Sequence, residues 1–233
     1  MVAHSMAFSP KLCRVLGEDQ VRNFVRFGIQ RAGAHGFGKR GPLRLYLEMM
    51  FLYGSDFDTD VQYPAFYRAL RNGGDEMIRA EMLYDETVRY QDEVGGVNAV
   101  NVWNALAALQ DLSATPPRFT ERAFEQELLG ELERIFPLKV RYSGRLGLLA
   151  LIRKGRKLAR AHHLPNLEGD ALVVALMFAF GHGCTKDPLY PWIARTLDDE
   201  NIVDGGRRSF RLQKRATIWL DRVLENAKGA AHK

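Results

Sequence analysis

The chain has 233 residues, of which 46% are hydrophobic and 26% are charged, and a formal net charge of +5. This composition is typical of a soluble globular protein with a hydrophobic core. The longest apolar run, at 171–180, is about half the length needed to span a bilayer, and the first residues lack the pattern of a signal peptide. Two cysteines, Cys13 and Cys184, are too few for a disulfide framework, so we expect a cytoplasmic protein that does not contact a membrane.

The charge is unevenly distributed along the chain. Residues 1–112 hold 12 Lys and Arg against 14 Asp and Glu, whereas residues 113–233 hold 21 against 14. The basic second half predicts an acidic partner, although a solvated basic surface without a partner would have the same composition.

The second half of the sequence repeats the first, at an offset of 127. Between Phe8 and Leu70, 17 of the 63 residues are identical to the residue at this offset, whereas chance gives roughly one in fifteen. The period is too long for a solenoid unit and predicts two related domains packed about a pseudo-twofold axis. The identical residues, numbered in the first copy, are Pro10, Arg14, Gly17, Arg26, Gly28, Ala32, Ala34, His35, Leu45, Met50, Phe51, Gly54, Asp60, Tyr63, Pro64, Arg68 and Leu70.

Both copies have the hydrophobic spacing of helices. In the first copy Val21, Phe24, Val25, Gly28 and Ala32 follow a helical repeat, and the second copy has the same pattern at the corresponding positions. A glycine inside a helix costs about 1 kcal/mol relative to alanine, so its presence in both copies predicts that another helix packs closely there. Further helices are predicted at 41–53, 64–72, 75–93, 97–111, 119–135, 168–180, 191–198 and 206–226.

These elements predict an all-α protein made of two tandem helical domains. Residues 1–112 are assigned to the first domain and the basic residues 119–233 to the second. The segment 113–118 contains consecutive prolines, which stop a helix, and is predicted to be the linker. LKVRY at 138–142 is the single strand candidate. The helix at 119–135 has only the fragment MVAHSMAF as its counterpart in the first copy.

Asp56, Asp58 and Asp60 stand at alternate positions, a spacing that suggests either a cation site or the start of a helix. An EF-hand loop is excluded, because Val61 occupies the position of the required glycine and Tyr67 that of the bidentate glutamate. A metal-dependent enzyme that uses the three aspartates is therefore only the third-ranked function.

A structural role explains the aspartates better, because only Asp60 persists in the second copy, as Asp187. We predict that these two carboxylates accept hydrogen bonds from free N–H groups where the next helix starts. Pro64 and Pro191 suit the first position of those helices, because proline lacks the N–H that would be unpaired there.

No other group of residues has the pattern of a catalytic or cofactor site. His162, His163, His182 and Cys184 are metal-ligand types, but their spacing matches no known metal motif. Nucleophile elbows, phosphate-binding loops and zinc-protease motifs are missing from the sequence. We predict a protein that is not an enzyme and binds neither a metal nor another cofactor.

Residues 145–162 predict an amphipathic helix with a cationic face. The same face of the first copy lacks this charge, which suggests that the fold does not require it and that it contacts an acidic protein partner. Nucleic-acid binding is the alternative function, although no helix-turn-helix motif precedes the basic run and no aromatic residues lie within it. The five predicted partner-binding residues are Arg153, Lys154, Arg156, Lys157 and Arg160.

The segment RLYLEMMFLYGSDFDTDVQYP, with RAGAHGF before it, resembles a family of uncharacterised bacterial proteins that have a Phe-Gly-x-Asp-Phe-Asp-Thr-Asp-Pro…Pro-Trp motif. Members are often encoded beside type VI secretion spike and effector genes. The resemblance covers mainly residues 10–110 and departs at Val61 and Ala65, where the family has Pro and Trp; the second copy has Pro188 and Trp192. It implies a helical protein that binds a secreted antibacterial effector or a spike component, as an immunity protein or a loading adaptor.

Overall fold

The computed structural model describes the backbone of residues 1–231 and the side chains of residues 1–225, and every regular element within that range is helical. The predicted all-α class is confirmed. None of these helices combines the length and the apolar character needed to cross a bilayer. The α-helices are α1 Val2–Phe8, α2 Pro10–Leu16, α3 Glu18–Ala34, α4 Arg40–Tyr53, α5 Pro64–Arg71, α6 Glu76–Tyr90, α7 Val100–Ala114, α8 Phe124–Ile135, α9 Pro137–Ser143, α10 Arg145–Ala161, α11 Leu167–Phe180, α12 Pro191–Leu197 and α13 Gly205–Ala231.

Three short helical turns lie between the α-helices of the first half. A 3₁₀ turn at Phe57–Thr59 connects α4 to α5, and a π turn at Gln91–Gly95 and a 3₁₀ turn at Val97–Ala99 connect α6 to α7. The strand prediction for 138–142 is wrong, because these residues lie in α9. Five alternating residues are too few to distinguish a strand from a short helix, and the flanking Pro and Gly bound a helix of two turns.

Corresponding helices of the two halves have the same bounds at the offset of 127. Adding this offset to the bounds of α2, α3 and α4 gives those of α9, α10 and α11, and α5 and α12 begin at corresponding prolines. For the helices that follow, α6 after α5 and α13 after α12, the offset becomes 129. Arg79 of α6 donates to the carbonyl oxygen of His35 at 2.6 Å, and Arg208 of α13 donates to that of His162 at 2.8 Å. Helix α13 is therefore the counterpart of α6.

The central glycines lie where two helices approach closely in each half. A Cβ atom at Gly28 of α3 would lie 2.8 Å from the sulfur of Met50 in α4. At Gly155 of α10 it would lie 3.2 Å from the sulfur of Met177 in α11. The predicted close helix contact at both glycines is confirmed.

The two halves share one continuous hydrophobic core. Helix α7 leaves the first half and packs against α13 and α11 of the second. It ends at Ala114, so the predicted linker 113–118 begins two residues inside this helix. By packing, α7 belongs mainly with the residues after the linker, since it contacts α13, α8 and α11 there. The boundary predicted after residue 112 therefore does not separate two independent bodies.

Candidate functional site

The two halves meet backbone to backbone at Gly54 and Gly181, the residues that end α4 and α11. Both glycines have φ of +94°, a conformation that L side chains rarely adopt. A Cβ atom at Gly181 would lie 2.8 Å from the carbonyl oxygen of Tyr53, and one at Gly54 would collide with that of Phe180. The contacts are reciprocal, as a pseudo-twofold axis between the two glycines requires.

Asp60 connects the first half to the second. Its carboxylate accepts from the backbone N–H of Gln62 at 3.0 Å and from the N–H of His182, in the other half, at 2.7 Å. The side-chain amide of Gln62 also donates to it at 3.0 Å. Two buried backbone N–H groups therefore depend on this carboxylate, which is itself 1% exposed, whereas the Gln62 amide also donates to the carbonyl oxygen of Met177 at 3.0 Å.

Asp187 makes the reciprocal connection from the second half to the first. It accepts from the N–H of Leu189 at 2.8 Å and from the N–H of Ser55 at 2.8 Å, and the Ser55 hydroxyl donates to it at 2.6 Å. Burial raises the pKa of Asp187 to about 6, although the hydrogen bonds from Ser55 and Leu189 oppose that rise.

The two aspartates accept hydrogen bonds in the turn before each helix, as expected from the sequence, and also from the opposite half. Pro64 and Pro191 do occupy the first helical positions, but no side chain caps either helix. Asp60 and Asp187 each bond the N–H two residues later and one N–H across the junction of the halves. The local sequence pattern predicts only that each aspartate accepts from nearby N–H groups. The second backbone donor to each aspartate comes from a residue more than 120 positions away.

The other two aspartates contact an arginine. Arg31 pairs with Asp56 at 2.7 Å and also with Asp58, which is 3% exposed. Asp58 accepts further hydrogen bonds from His35 at 2.8 Å and from the Tyr46 hydroxyl at 2.9 Å. Burial would raise the pKa of Asp58, but the hydrogen bonds from His35, Arg31 and Tyr46 and the charge of Arg31 together lower it. The guanidinium bridges both carboxylates and so already supplies the positive charge that a cation would bring.

Removal of the Asp58 carboxylate is expected to cost much more than a surface substitution. Asp58→Ala leaves the Tyr46 hydroxyl without its acceptor and Arg31 with half of its counter-charge, so urea unfolding should show a loss of about 3 kcal/mol. The folded pKa is lowered, so this contribution is present above about pH 4 and is lost as the pH falls through the folded value. Asp85→Ala on the exposed face of α6 is the control and should stay within about 0.5 kcal/mol. Equal losses for the two variants would contradict the role of Asp58.

His162, His182 and Cys184, which are metal-ligand types, lie in three different surroundings. His162 lies 3.5 Å from Asp198, whereas the His182 ring lies 3.2 Å from the Thr59 hydroxyl. Cys184 is fully buried, and burial raises the pKa of its thiol well above the usual range. Among the residues with described side chains, no three His, Cys, Asp or Glu residues are grouped so that they could hold a metal ion.

Three residues of the predicted basic face are paired within the chain. Arg153 makes a bidentate contact with Glu125 at 2.9–3.1 Å, and Arg156 and Arg160 both contact Glu121, at 2.7 and 3.2 Å. The acidic partners come from α8 and the turn before it. The positive charge of this face, which the sequence suggests is there for an external partner, is thus largely compensated by carboxylates of the same chain.

Arg156 also has a structural role, contrary to the expectation that the fold does not require this charge. Its guanidinium lies 4.5 Å from the ring centre of Phe124 and 3.2 Å from the carboxylate of Asp170, which is 3% exposed. The first copy needs no such pair, because Ile29 and Leu43 occupy the positions of Arg156 and Asp170. The two lysines of the predicted face, Lys154 and Lys157, are exposed.

One buried residue, Lys139, is not indicated by any pattern in the sequence. Lys139 of α9 is 4% exposed, and its Nζ donates to the carbonyl oxygen of Phe178 at 2.5 Å and to the Tyr63 hydroxyl at 3.1 Å. Burial lowers its pKa to about 8, although the charge of Asp60 opposes the change. The side chain lines a cavity of about 90 Å³ between the halves. Helix α9 has only seven residues, which is too short for a hydrophobic periodicity that would indicate a buried face.

Four large apolar side chains are exposed along α6, beside a groove between α4 and α6; they are Met77, Ile78, Tyr84 and Val88. This groove has an open volume of about 520 Å³. Its walls include Leu45 and Pro42 from α4 and Met77, Ile78 and Tyr84 from α6. The last three are 49%, 50% and 57% exposed, which is unusual for apolar side chains that line one concave surface. We call this surface the α4/α6 groove.

The corresponding position in the second half is filled by the chain itself. The space between α11 and α13 is covered by Leu112 and Ser113 of α7 and by Pro116 and Phe119, which follow it, and only about 30 Å³ remains open. The Gln213 side chain of α13 donates to the carbonyl oxygen of Ser113 at 2.6 Å. At the offset of 129, the counterpart of Gln213 is Tyr84. The groove in the first half is therefore the uncovered equivalent of the surface on which α7 lies.

The sequence does contain a signal for this groove. At the positions of Tyr84 and Val88 in α6, the second half has Gln213 and Thr217. Apolar residues thus occur on the uncovered helix and polar ones on the covered helix, the reverse of the usual pattern. The comparison needs the change of offset from 127 to 129, which an ungapped alignment misses.

Comparison with protein-family models, with curated proteins and with solved structures gives no match to this chain.

Proposed function

We propose that this chain is a non-enzymatic protein-binding module and that the α4/α6 groove is its binding surface. The observation that carries the proposal is the contrast between two equivalent surfaces, one covered by α7 and one open. The open surface exposes three large apolar side chains next to one another, which favours a protein partner. With the resemblance to proteins encoded beside secretion genes, the proposed partner is a secreted antibacterial effector, bound by an immunity protein or a loading adaptor.

The basic helix is a weaker candidate for the binding surface. Arg153, Arg156 and Arg160 are already paired with carboxylates of the same chain, and a nucleic acid would have to displace these pairs. Nucleic-acid binding remains the alternative function, carried by Lys154 and Lys157. An enzyme that uses Asp56 and Asp58 with a metal is disfavoured, because Arg31 bridges them.

The proposal predicts a complex with the protein encoded beside the gene of this chain. The two purified proteins should co-elute in size-exclusion chromatography and bind with a measurable heat in titration calorimetry. Co-expression in a bacterial host separates the two roles: an immunity protein restores growth that the effector alone stops, and a loading adaptor does not. If no complex forms, while duplex DNA binds and its log affinity falls linearly with log salt, the alternative function replaces this proposal.

A further inference from the structure

We infer that the α4/α6 groove takes an amphipathic helix with basic flanks, supplied by the partner and seated as α7 is seated on α11 and α13. The inference deepens the proposed function and depends on it. It names the secondary structure and the charge of the segment that occupies the groove. Both properties follow from the covered groove of the second half and from the residues that line the open one.

The helical form of the occupant follows from α7. This helix packs on α13 and α11 and buries Ala105, Leu109 and Leu112 at i, i+4 and i+7. Leu112 lines the covered groove, whereas Ala105 and Leu109 line the cavity beside Lys139. The Gln110 side chain of α7 also donates a hydrogen bond to Asp221 of α13. In the first half, α6 exposes its counterpart face from Met77 to Val88, a length of about 16 Å or three helical turns. A helix of about 11 residues would span this face, so an occupant with the 15 residues of α7 would cover it and extend about one turn beyond it.

The charge of the occupant follows from the groove lining. Three carboxylates, Glu48, Asp75 and Glu81, line the groove together with one cation, Arg44. Glu48 pairs with His4 at 2.7 Å, whereas Glu81 is exposed at the rim. An occupant with Lys or Arg beside its apolar stripe would be attracted to this surface, and an acidic one would be repelled. This differs from the acidic partner expected from the basic second half, whose arginines are internally paired.

The groove can be tested with synthetic peptides and the full-length protein. The probe is a labelled helical peptide of the length of α7, with Leu at i, i+4, i+7 and i+11 and Lys at the flanking positions. Matched peptides carry Glu in place of Lys, or the same residues in scrambled order. Fluorescence anisotropy should show binding of the Lys peptide at least tenfold tighter than that of either control, with the difference reduced by salt.

Variants show whether the peptide lies in the groove. Tyr84→Lys and Ile78→Lys remove apolar contact and add a repelling charge, so each should weaken binding of the Lys peptide at least tenfold. Leu146→Lys on α10 and Val203→Lys before α13 are matched controls, because these side chains are 84% and 90% exposed, and they should leave binding unchanged. All four sites are half or more exposed, so circular dichroism should confirm that every variant is folded.

Three results would overturn the inference. The Glu peptide could bind as tightly as the Lys peptide, or the groove variants could bind like the wild type. Alternatively, sedimentation could reveal a dimer of this chain that Tyr84→Lys dissociates, which would make a second copy the occupant. The protein-binding role is judged separately: if Tyr84→Lys and Ile78→Lys retain the complex with the protein of the adjacent gene, the chain is still a protein-binding module, but the groove is not its binding surface and the groove inference fails.

Discussion

Gly54→Ala is expected to destabilise the chain by about 4 kcal/mol or more, with Gly181→Ala close behind. At φ of +94° and ψ of 154° the backbone of Gly54 lies in a region almost restricted to glycine, which costs an alanine about 1–3 kcal/mol. The new Cβ would also lie 3.2 Å from the Cα atom of Gly181 and closer still to the Phe180 carbonyl oxygen. Both are backbone atoms of the opposite half, so relief requires the halves to separate, at a further cost of about 1–3 kcal/mol.

Gly130→Ala provides the matched control for this prediction. Gly130 lies inside α8, and a Cβ atom there would have no neighbour within 4 Å. Because alanine favours a helix interior, the control should gain about 1 kcal/mol. Urea unfolding monitored by circular dichroism measures both changes. A Gly54→Ala variant as stable as the wild type would show that the halves do not depend on this backbone contact.

Asp60→Ala is expected to cost about 4 kcal/mol, because it leaves two buried backbone N–H groups without an acceptor, at about 1–3 kcal/mol each, and removes one of the two hydrogen bonds that the Gln62 amide donates. The two N–H groups are those of Gln62 and His182. A helix cap would be worth only about 1 kcal/mol. The unfolding free energy therefore distinguishes a role at the junction of the halves from a role at the helix start. A loss near 1 kcal/mol would favour the helix start.

Asp187→Ala should show a deficit that depends on pH. The folded pKa of about 6 lies above the value of about 4 in the unfolded chain, so the folded state binds the proton more tightly. The resulting stabilisation is fully present below about pH 4 and is lost as the pH rises through 6, a change of about 3 kcal/mol. The variant lacks this contribution. Its deficit relative to the wild type should therefore be larger at pH 4 than at pH 7.5, and a constant deficit would contradict the raised pKa.

The helices and their correspondence could be predicted from the sequence, because the signals for them are local. Apolar spacing, Pro64 and Pro191 at the helix starts, and Gly54 and Gly181 at the helix ends all act within a few residues. The predicted bounds of α4, α5, α11 and α12 differ from the observed ones by one residue at most. The repeat strengthened each assignment, because a pattern that occurs twice is less often accidental.

The partners of the charged residues were decided only by the tertiary structure. Arg153 finds Glu125 28 residues away, and Asp60 finds the N–H of His182 122 residues away. Periodicity shows that such a residue lies outside the apolar stripe, but it does not show which other element lies beside it. For this reason the cationic face of α10, read from sequence as a binding surface, is mostly paired within the chain.

The covering of one groove and not the other was also decided by the tertiary structure. The sequence specifies α7 as a helix, but the same helix could pack on either of two similar surfaces. Steric and hydrogen-bonding complementarity with Gln213 and Asp221 places it on α13 and leaves Tyr84 exposed on α6. Local propensity and pattern therefore determined the elements of this protein, and long-range packing determined which of its surfaces stayed open.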